Sequence, residues 1–262
     1  MPRLLSLLLL LALLAVPASA LEQFRFRVLE QKPQSRDTWM QGLEIVDGKL
    51  YVSSGGYGVS TLQRFDFASG ALEIERKLDP RLWAEGVTVF GDRVYQLTWR
   101  ARLLLIYNKD DLTGVARMRI PGEGWGITND GEQLIYSDGS HQLYFLDPVK
   151  SRITRTIKVS ANGKPVTRLN ELEWINGRIW ANVWQTNHIV IINPADGKVE
   201  ASVNLQGLLP IMERRRDTDV LNGIAHNPAD GAIWVTGKKW PFLYKIEPVV
   251  VPPTSPTAAQ KR

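Results

Sequence analysis

One short phrase recurs along this chain and restricts what it can fold into. At its clearest it occupies residues 82–99, LWAEGVTVFGDRVYQLTW. Glu85-Gly86 opens an apolar strand, Gly91-Asp92 makes a tight turn, and a second strand from Val94 to Thr98 ends on Trp99. Further copies start at Gln41, Trp125, Asn170 and Asn222, with turns at Asp47-Gly48, Asp130-Gly131, Asn176-Gly177 and Asp230-Gly231. Asp-Gly and Asn-Gly between two apolar runs are hairpin signals, because both turn residues tolerate positive φ. The first four copies continue into a third strand, ending on Asp66, Asn108, Asp147 or Asn193, and then a fourth. Five four-stranded repeats at a period of about 45 residues predict an all-β fold: a five-bladed β-propeller with four-stranded antiparallel blades.

The fifth repeat has strands at 222–226, 232–236 and 242–247 but no fourth. An alternating stretch, Phe24-Arg25-Phe26-Arg27-Val28, precedes the first repeat and reads as a half-buried strand. The N-terminal strand at 24–30 is therefore predicted to close the last blade and leave no open edge. The repeats occupy one catalytic domain, 21–250. The Pro-rich polar end, 251–262, is expected to be a disordered tail. Residues 1–20 read as a signal peptide: one basic group at Arg3, an apolar run from Leu4 to Val16, and Ala18-Ser19-Ala20 for cleavage. The run is shorter than the roughly 20 residues of a membrane span. The mature protein is expected to be periplasmic or secreted, off the membrane and monomeric. A core of this size needs no disulfide, and the chain has no cysteine.

Removing the leader takes one basic group and leaves 31 Lys+Arg against 27 Asp+Glu, a net of +4. The one dense cluster, Arg214-Arg215-Arg216, is flanked by Glu213 and Asp217 and reads as a solvated loop. No basic stripe or motif points to nucleic acid.

Equivalent positions of the repeats converge on one axis. The residue opening each copy is Gln41, Glu85, Trp125, Asn170 or Asn222, with Glu44, Glu123, Glu171 and Glu173 nearby. About four residues past the aromatic of the second strand stand Gly55, Trp99, Asp138 or Gly139, Trp184 and Lys238. Carboxylate, amides, lysine and tryptophans at converging strand ends have the form of a small-ligand site. Polar channel residues that hold water, and tryptophans packed between blades, give the bland alternative. His141, His188 and His226 lack metal-pair spacing, Ser137-Asp138 lies in a turn without a nucleophile elbow, and thiol chemistry is excluded.

Several strings are specific: Gln41-Gly42-Leu43-Glu44, Glu85-Gly86-Val87-Thr88, Glu123-Gly124-Trp125-Gly126, Asn170-Glu171-Leu172-Glu173, Ala181-Asn182-Val183-Trp184-Gln185-Thr186 and Val235-Thr236-Gly237-Lys238. Together they resemble the plant-type glutaminyl cyclases, or glutamine cyclotransferases, over residues 25–248. Val87 stands where Leu is more usual, and Lys239 where an apolar residue is. The resemblance implies conversion of an N-terminal glutamine of peptides or proteins to pyroglutamate with release of ammonia. It implies no metal and no cofactor. It also implies that Glu85 is the acid/base, with Lys238 and Asn170 as catalytic partners. Trp99, Trp125 and Trp184 would then be pocket walls, and Gln41 and Asn222 would complete the substrate-binding set. Two other readings stay open on the residues alone. One is a Ca²⁺-dependent hydrolase such as a lactonase, using Glu85, Asp138, Asn170 and Asn222 as oxygen ligands. The other is a non-catalytic binding protein.

Overall fold

The computed structural model describes residues 21–251. The leader at 1–20 and nearly all of the expected tail lie outside the described residues. The fold is all-β. The first unit comprises β2 (Met40–Val46), β3 (Lys49–Ser54), β4 (Thr61–Asp66) and β5 (Leu72–Lys77), after an N-terminal β1 (Glu22–Pro33). The second comprises β6 (Ala84–Phe90), β7 (Arg93–Thr98), β8 (Leu103–Asn108) and β9 (Gly114–Arg119). The third comprises β10 (Ile127–Asn129), β11 (Leu134–Ser137), β12 (Gln142–Asp147) and β13 (Arg152–Lys158). A small ribbon of β14 (Ser160–Ala161) and β15 (Lys164–Pro165) follows. The rest is β16 (Leu169–Ile175), β17 (Arg178–Val183), β18 (His188–Ile192), β19 (Val199–Asn204), β20 (Leu221–Asn227), β21 (Ala232–Gly237) and β22 (Phe242–Val250).

The expected five-bladed propeller of separate four-stranded blades is not what forms, although the N-terminal strand does pair with β22, the last strand of the fifth unit. The first three units are four-stranded sheets, but the remainder is a single eight-stranded sheet, ordered β16-β17-β18-β19-β1-β22-β21-β20. The reason is the length of β1. From Phe24 to Pro33 it pairs antiparallel with β22, while Glu22, Gln23 and Phe24 pair in parallel with Ala201, Ser202 and Val203 of β19. An exposed strand edge is a row of unpaired donors and acceptors. β1 satisfies two such edges at once and fuses the last two units.

The first strands, β2, β6, β10, β16 and β20, pack each against the next, and β20 returns to β2. The apolar cores lie in the seams between units. Met40, Leu43 and Val52 meet Trp234 and Leu243 in one seam, and Tyr51 and Leu62 meet Val87 and Tyr107 in the next. Glycine lets the inner strands come this close. A Cβ on Gly126 would lie 2.0 Å from the Asn170 carbonyl oxygen, and one on Gly86 would lie 2.7 Å from the Ile127 nitrogen.

Candidate active site

Four of the five inner strands break register where the repeat opens. The irregularities fall between Met40 and Gly42, Ala84 and Val87, Leu169 and Leu172, and Leu221 and Ile224. A bulge re-aims the side chain it carries. Here it turns Gln41, Glu85 and Asn170 toward a cavity of about 240 Å³ at the end of the ring. Trp99, Trp125, Trp184 and Lys238 line the same cavity, so seven of the eight expected residues meet. Asn222 is not among the lining residues. It is fully buried, and its Nδ2 donates to the Met40 carbonyl oxygen at 3.0 Å, tying β20 to β2.

The lining also holds Trp39, Trp83 and Asp219, which the sequence reading missed. Trp39 and Trp83 sit two residues before Gln41 and Glu85. They occupy equivalent repeat positions, so the repeat carried a signal for both. Asp219 comes from the irregular connection 205–220 and has no counterpart in the other repeats. A larger cavity, about 590 Å³, lies between the first unit and β1/β22. Much of its wall is apolar, including Leu50, Val52, Phe65 and Phe67. We place the chemistry in the smaller cavity, where the ionisable and amide groups converge.

The walls are a chain of indoles. Trp39 and Trp83 meet edge-on at 6.4 Å, Trp83 and Trp99 at 5.9 Å, and Trp125 and Trp184 at 5.5 Å. Glu123 joins the two runs: its Oε2 accepts from Trp99 Nε1 at 2.6 Å and from Trp125 Nε1 at 3.1 Å. Lys238 Nζ lies 5.6 Å from the Trp39 ring centre, within reach of the ring face.

Glu85 is 6% exposed and its Oε1 accepts from Gln41 Nε2 at 2.9 Å. Burial pushes its carboxyl well above the usual carboxylate range. Lys238 pulls the other way and Glu123 adds to the rise. Burial likewise lowers Lys238, against the opposing pull of Glu85 and Asp219. The backbone of Glu85 is held from behind. Ser53 Oγ donates to its carbonyl oxygen, and Gln96 Nε2 donates to Ser53 Oγ at 2.8 Å. Lys238 follows β21 directly, with its N–H on the Val220 carbonyl oxygen at 2.9 Å. Lys239 takes a left-handed φ of 59° and turns away to pair with Asp217 at 2.9 Å.

A carboxyl with a raised pKa beside a lysine and two amides, walled by tryptophan, defines an acid–base enzyme site for a small polar end group. The sequence profile of the glutamine cyclotransferase family matches residues 4–248, and the chain belongs to that family. It is 38% identical over 226 residues to a glutaminyl-peptide cyclotransferase of Arabidopsis thaliana, covering 84% of this chain and 70% of that protein. Its fold matches the crystal structure of Myxococcus xanthus glutaminyl cyclase with a TM-score of 0.81 at 31% identity, covering 88% of this chain and 99% of that one.

Proposed function

We infer that this protein is a glutaminyl-peptide cyclotransferase, an enzyme that closes an N-terminal glutamine to pyroglutamate and releases ammonia. One observation carries the substrate assignment. Gln41 Oε1, Asn170 Oδ1 and Trp83 Nε1 are buried without a hydrogen-bond partner among the described residues. An unsatisfied buried polar group costs about 1–3 kcal/mol. Two orphan acceptors and one orphan donor in one cavity suit a ligand with N–H groups and a carbonyl. An N-terminal glutamine, with its amine and γ-amide, offers both. Family membership disfavours the hydrolase and binding-protein readings.

The reaction is intramolecular. The α-amine nitrogen attacks the γ-amide carbon, the ring C–N bond forms, and the C–NH₂ bond breaks. The pocket therefore has to fold the side chain back on the amine and move one proton. Glu85 in its ionised form takes that proton from the attacking amine and hands it to the leaving nitrogen, which departs as ammonia. A pKa raised by burial suits a group that must both accept and donate. Lys238 and the Asn170 amide stabilise the oxyanion that develops on the oxygen of the attacked side-chain amide. Trp99, Trp125 and Trp184 keep out the water that would give glutamate instead.

The test is purified protein with a Gln-initiated dipeptide, following ammonia and the cyclised product together. One ammonia per pyroglutamyl product is expected, and a glutamate product or no ammonia defeats the reading. Glu85→Gln should lower turnover by about 10²–10⁴-fold and Lys238→Ala by about 10²–10³-fold. Lys239→Ala, with its ammonium on Asp217, should stay within about twofold of wild type, as surface changes usually do. The periplasmic or secreted location belongs to the same proposal. An N-terminus at Leu21 in protein isolated from its host is the measurement for it.

A further inference from the structure

The connection from β19 to β20 forms one rim of the pocket, and its end is fixed to the catalytic wall. Asp219 lines the cavity, its N–H bonds the Lys238 carbonyl oxygen at 3.1 Å, and its own carbonyl oxygen accepts from Trp240 Nε1 at 3.0 Å. The rest of the segment is pinned as well. Arg36 donates to the Glu213 carbonyl oxygen and to Glu213 Oε2, both at 2.8 Å, and Lys239 holds Asp217. Thr218 Oγ1 accepts from the Arg215 N–H at 2.8 Å.

What this anchored rim presents outward is unpaired. Arg214, Arg215 and Arg216 are all exposed, and none is in an ion pair with a described residue. Ile211 and Met212, on the 3₁₀ turn just before them, are 86% and 95% exposed. Exposed apolar side chains on a pinned turn, next to arginine, have the composition of an interaction surface. Of the three acids of the same rim, Glu213 pairs with Arg36 and Asp217 with Lys239, while Asp219 accepts from the Val220 N–H at 2.7 Å. Across the mouth, Glu123 is taken up by two indoles. Arg214, Arg215 and Arg216 are therefore left as a local cluster of three exposed cations with no acid partner among the described residues.

Distance sets which part of a substrate would meet it. Arg216 is three residues from Asp219 and Arg214 is five. At a maximum of about 3.6 Å per residue, the arginines lie within about 18 Å of the pocket wall. A peptide leaving the pocket in extended form covers that span in about five residues.

We propose that this rim docks the chain that follows the substrate's glutamine, and that it selects peptides and proteins with acidic residues at about positions two to six. The proposal rests on the cyclotransferase reading of the pocket. Arg214, Arg215 and Arg216 meet the carboxylates, and Ile211 and Met212 cover a neighbouring apolar side chain. The contacts lie away from the reacting atoms, so they act on KM and on the association rate and leave kcat nearly unchanged.

The experiment compares three substrates: a Gln-initiated heptapeptide with Asp and Glu at positions three to five, the same peptide with Asn and Gln there, and a Gln-initiated dipeptide too short to reach the rim. Three exposed ion pairs support a kcat/KM advantage of about tenfold for the acidic peptide at low salt. At 0.5 M salt the advantage should shrink below about threefold, because the screening length falls to a few ångströms. Replacing the triad (Arg214→Ser, Arg215→Ser, Arg216→Ser) should erase the preference while dipeptide turnover stays within about twofold. Equal kcat/KM for the two heptapeptides, or a preference that survives the triple substitution, overturns the rim assignment and leaves the pocket chemistry standing. No ammonia from any of the three, the dipeptide included, overturns the cyclotransferase reading and the rim with it.

Discussion

Glu171 is the position at which the repeat departs from its own rule, and replacing it tests the architecture most directly. In four repeats the residue after the pocket position is glycine: Gly42, Gly86, Gly126 and Gly223. In the fourth it is Glu171, 1% exposed, and its carboxyl reaches across the ring of inner strands. Oε2 accepts from the Ile224 N–H of β20 at 2.8 Å, and Oε1 from the Leu43 N–H of β2 at 3.3 Å. Glu171→Ala leaves both N–H groups buried without an acceptor. Each such loss costs about 1–3 kcal/mol, so the pair costs about 2–6 kcal/mol before any cavity is counted. Burial already pushes this carboxyl well above the usual carboxylate range, which limits the charge repulsion that its removal would relieve. For a domain of this size 1 kcal/mol moves Tm by about 2–4 °C. The alanine variant should therefore melt about 4–24 °C below wild type by calorimetry at pH 6. Glu171→Gln keeps one acceptor and should fall between the two. A Glu171→Ala protein within about 2 °C of wild type, or a glutamine variant that melts below the alanine one, would refute the role of this carboxyl as an acceptor bridging two strands.

The same carboxyls make stability depend on pH. Burial pushes Glu44 up to about 7, and Glu171 and Glu173 well above the usual range. For a carboxyl raised in the folded state, the stabilisation is complete below the unfolded value near 4.5 and is lost as pH rises through the folded value. Tm should thus fall between pH 5 and pH 8.5, and Glu44→Gln should flatten the part of the fall that lies below about pH 7; a Tm that rises over this interval contradicts the argument. A separate prediction concerns Glu123, which holds two indoles and adds to the raised pKa of Glu85. Glu123→Gln should raise KM modestly, since the oxygen that Trp99 and Trp125 share becomes an uncharged and weaker acceptor, and should move the acid limb of the kcat/KM profile to lower pH. An unmoved acid limb would mean that Glu123 acts on the walls alone.

What the sequence made legible follows from what a repeat can encode. Hairpins between neighbouring strands are local, and their Asp-Gly and Asn-Gly turns mark them, so the four strands of each early unit could be read directly. The parallel pairing of Gln23 with Ser202 joins residues 179 apart, and no turn or alternation announces it. That is why the fused eight-stranded sheet was not foreseen. Equivalent repeat positions brought Gln41, Glu85, Asn170, Trp125 and Lys238 to one cavity, whereas Asn222, equivalent by alignment, spends its amide on the Met40 carbonyl. Alignment fixes where a side chain starts and leaves open which partner it finds.

The carboxyls make that distinction sharp. Glu44, Glu85, Glu171 and Glu173 are all buried and all raised, so neither burial nor pKa separates chemistry from architecture. Their partners do. Glu44 accepts from the Val89 N–H, Glu171 from those of Leu43 and Ile224, and Glu173 from that of His226, each on another inner strand. Those three carboxyls complete the hydrogen bonding of a ring whose inner strands do not share one ladder, and moving one of them would unseat a strand. Among the described residues, the Glu85 carboxyl accepts only from the side chain of Gln41, and it faces a cavity. It can change its protonation state and its partner without disturbing any backbone bond, which is the freedom a proton-transfer group requires.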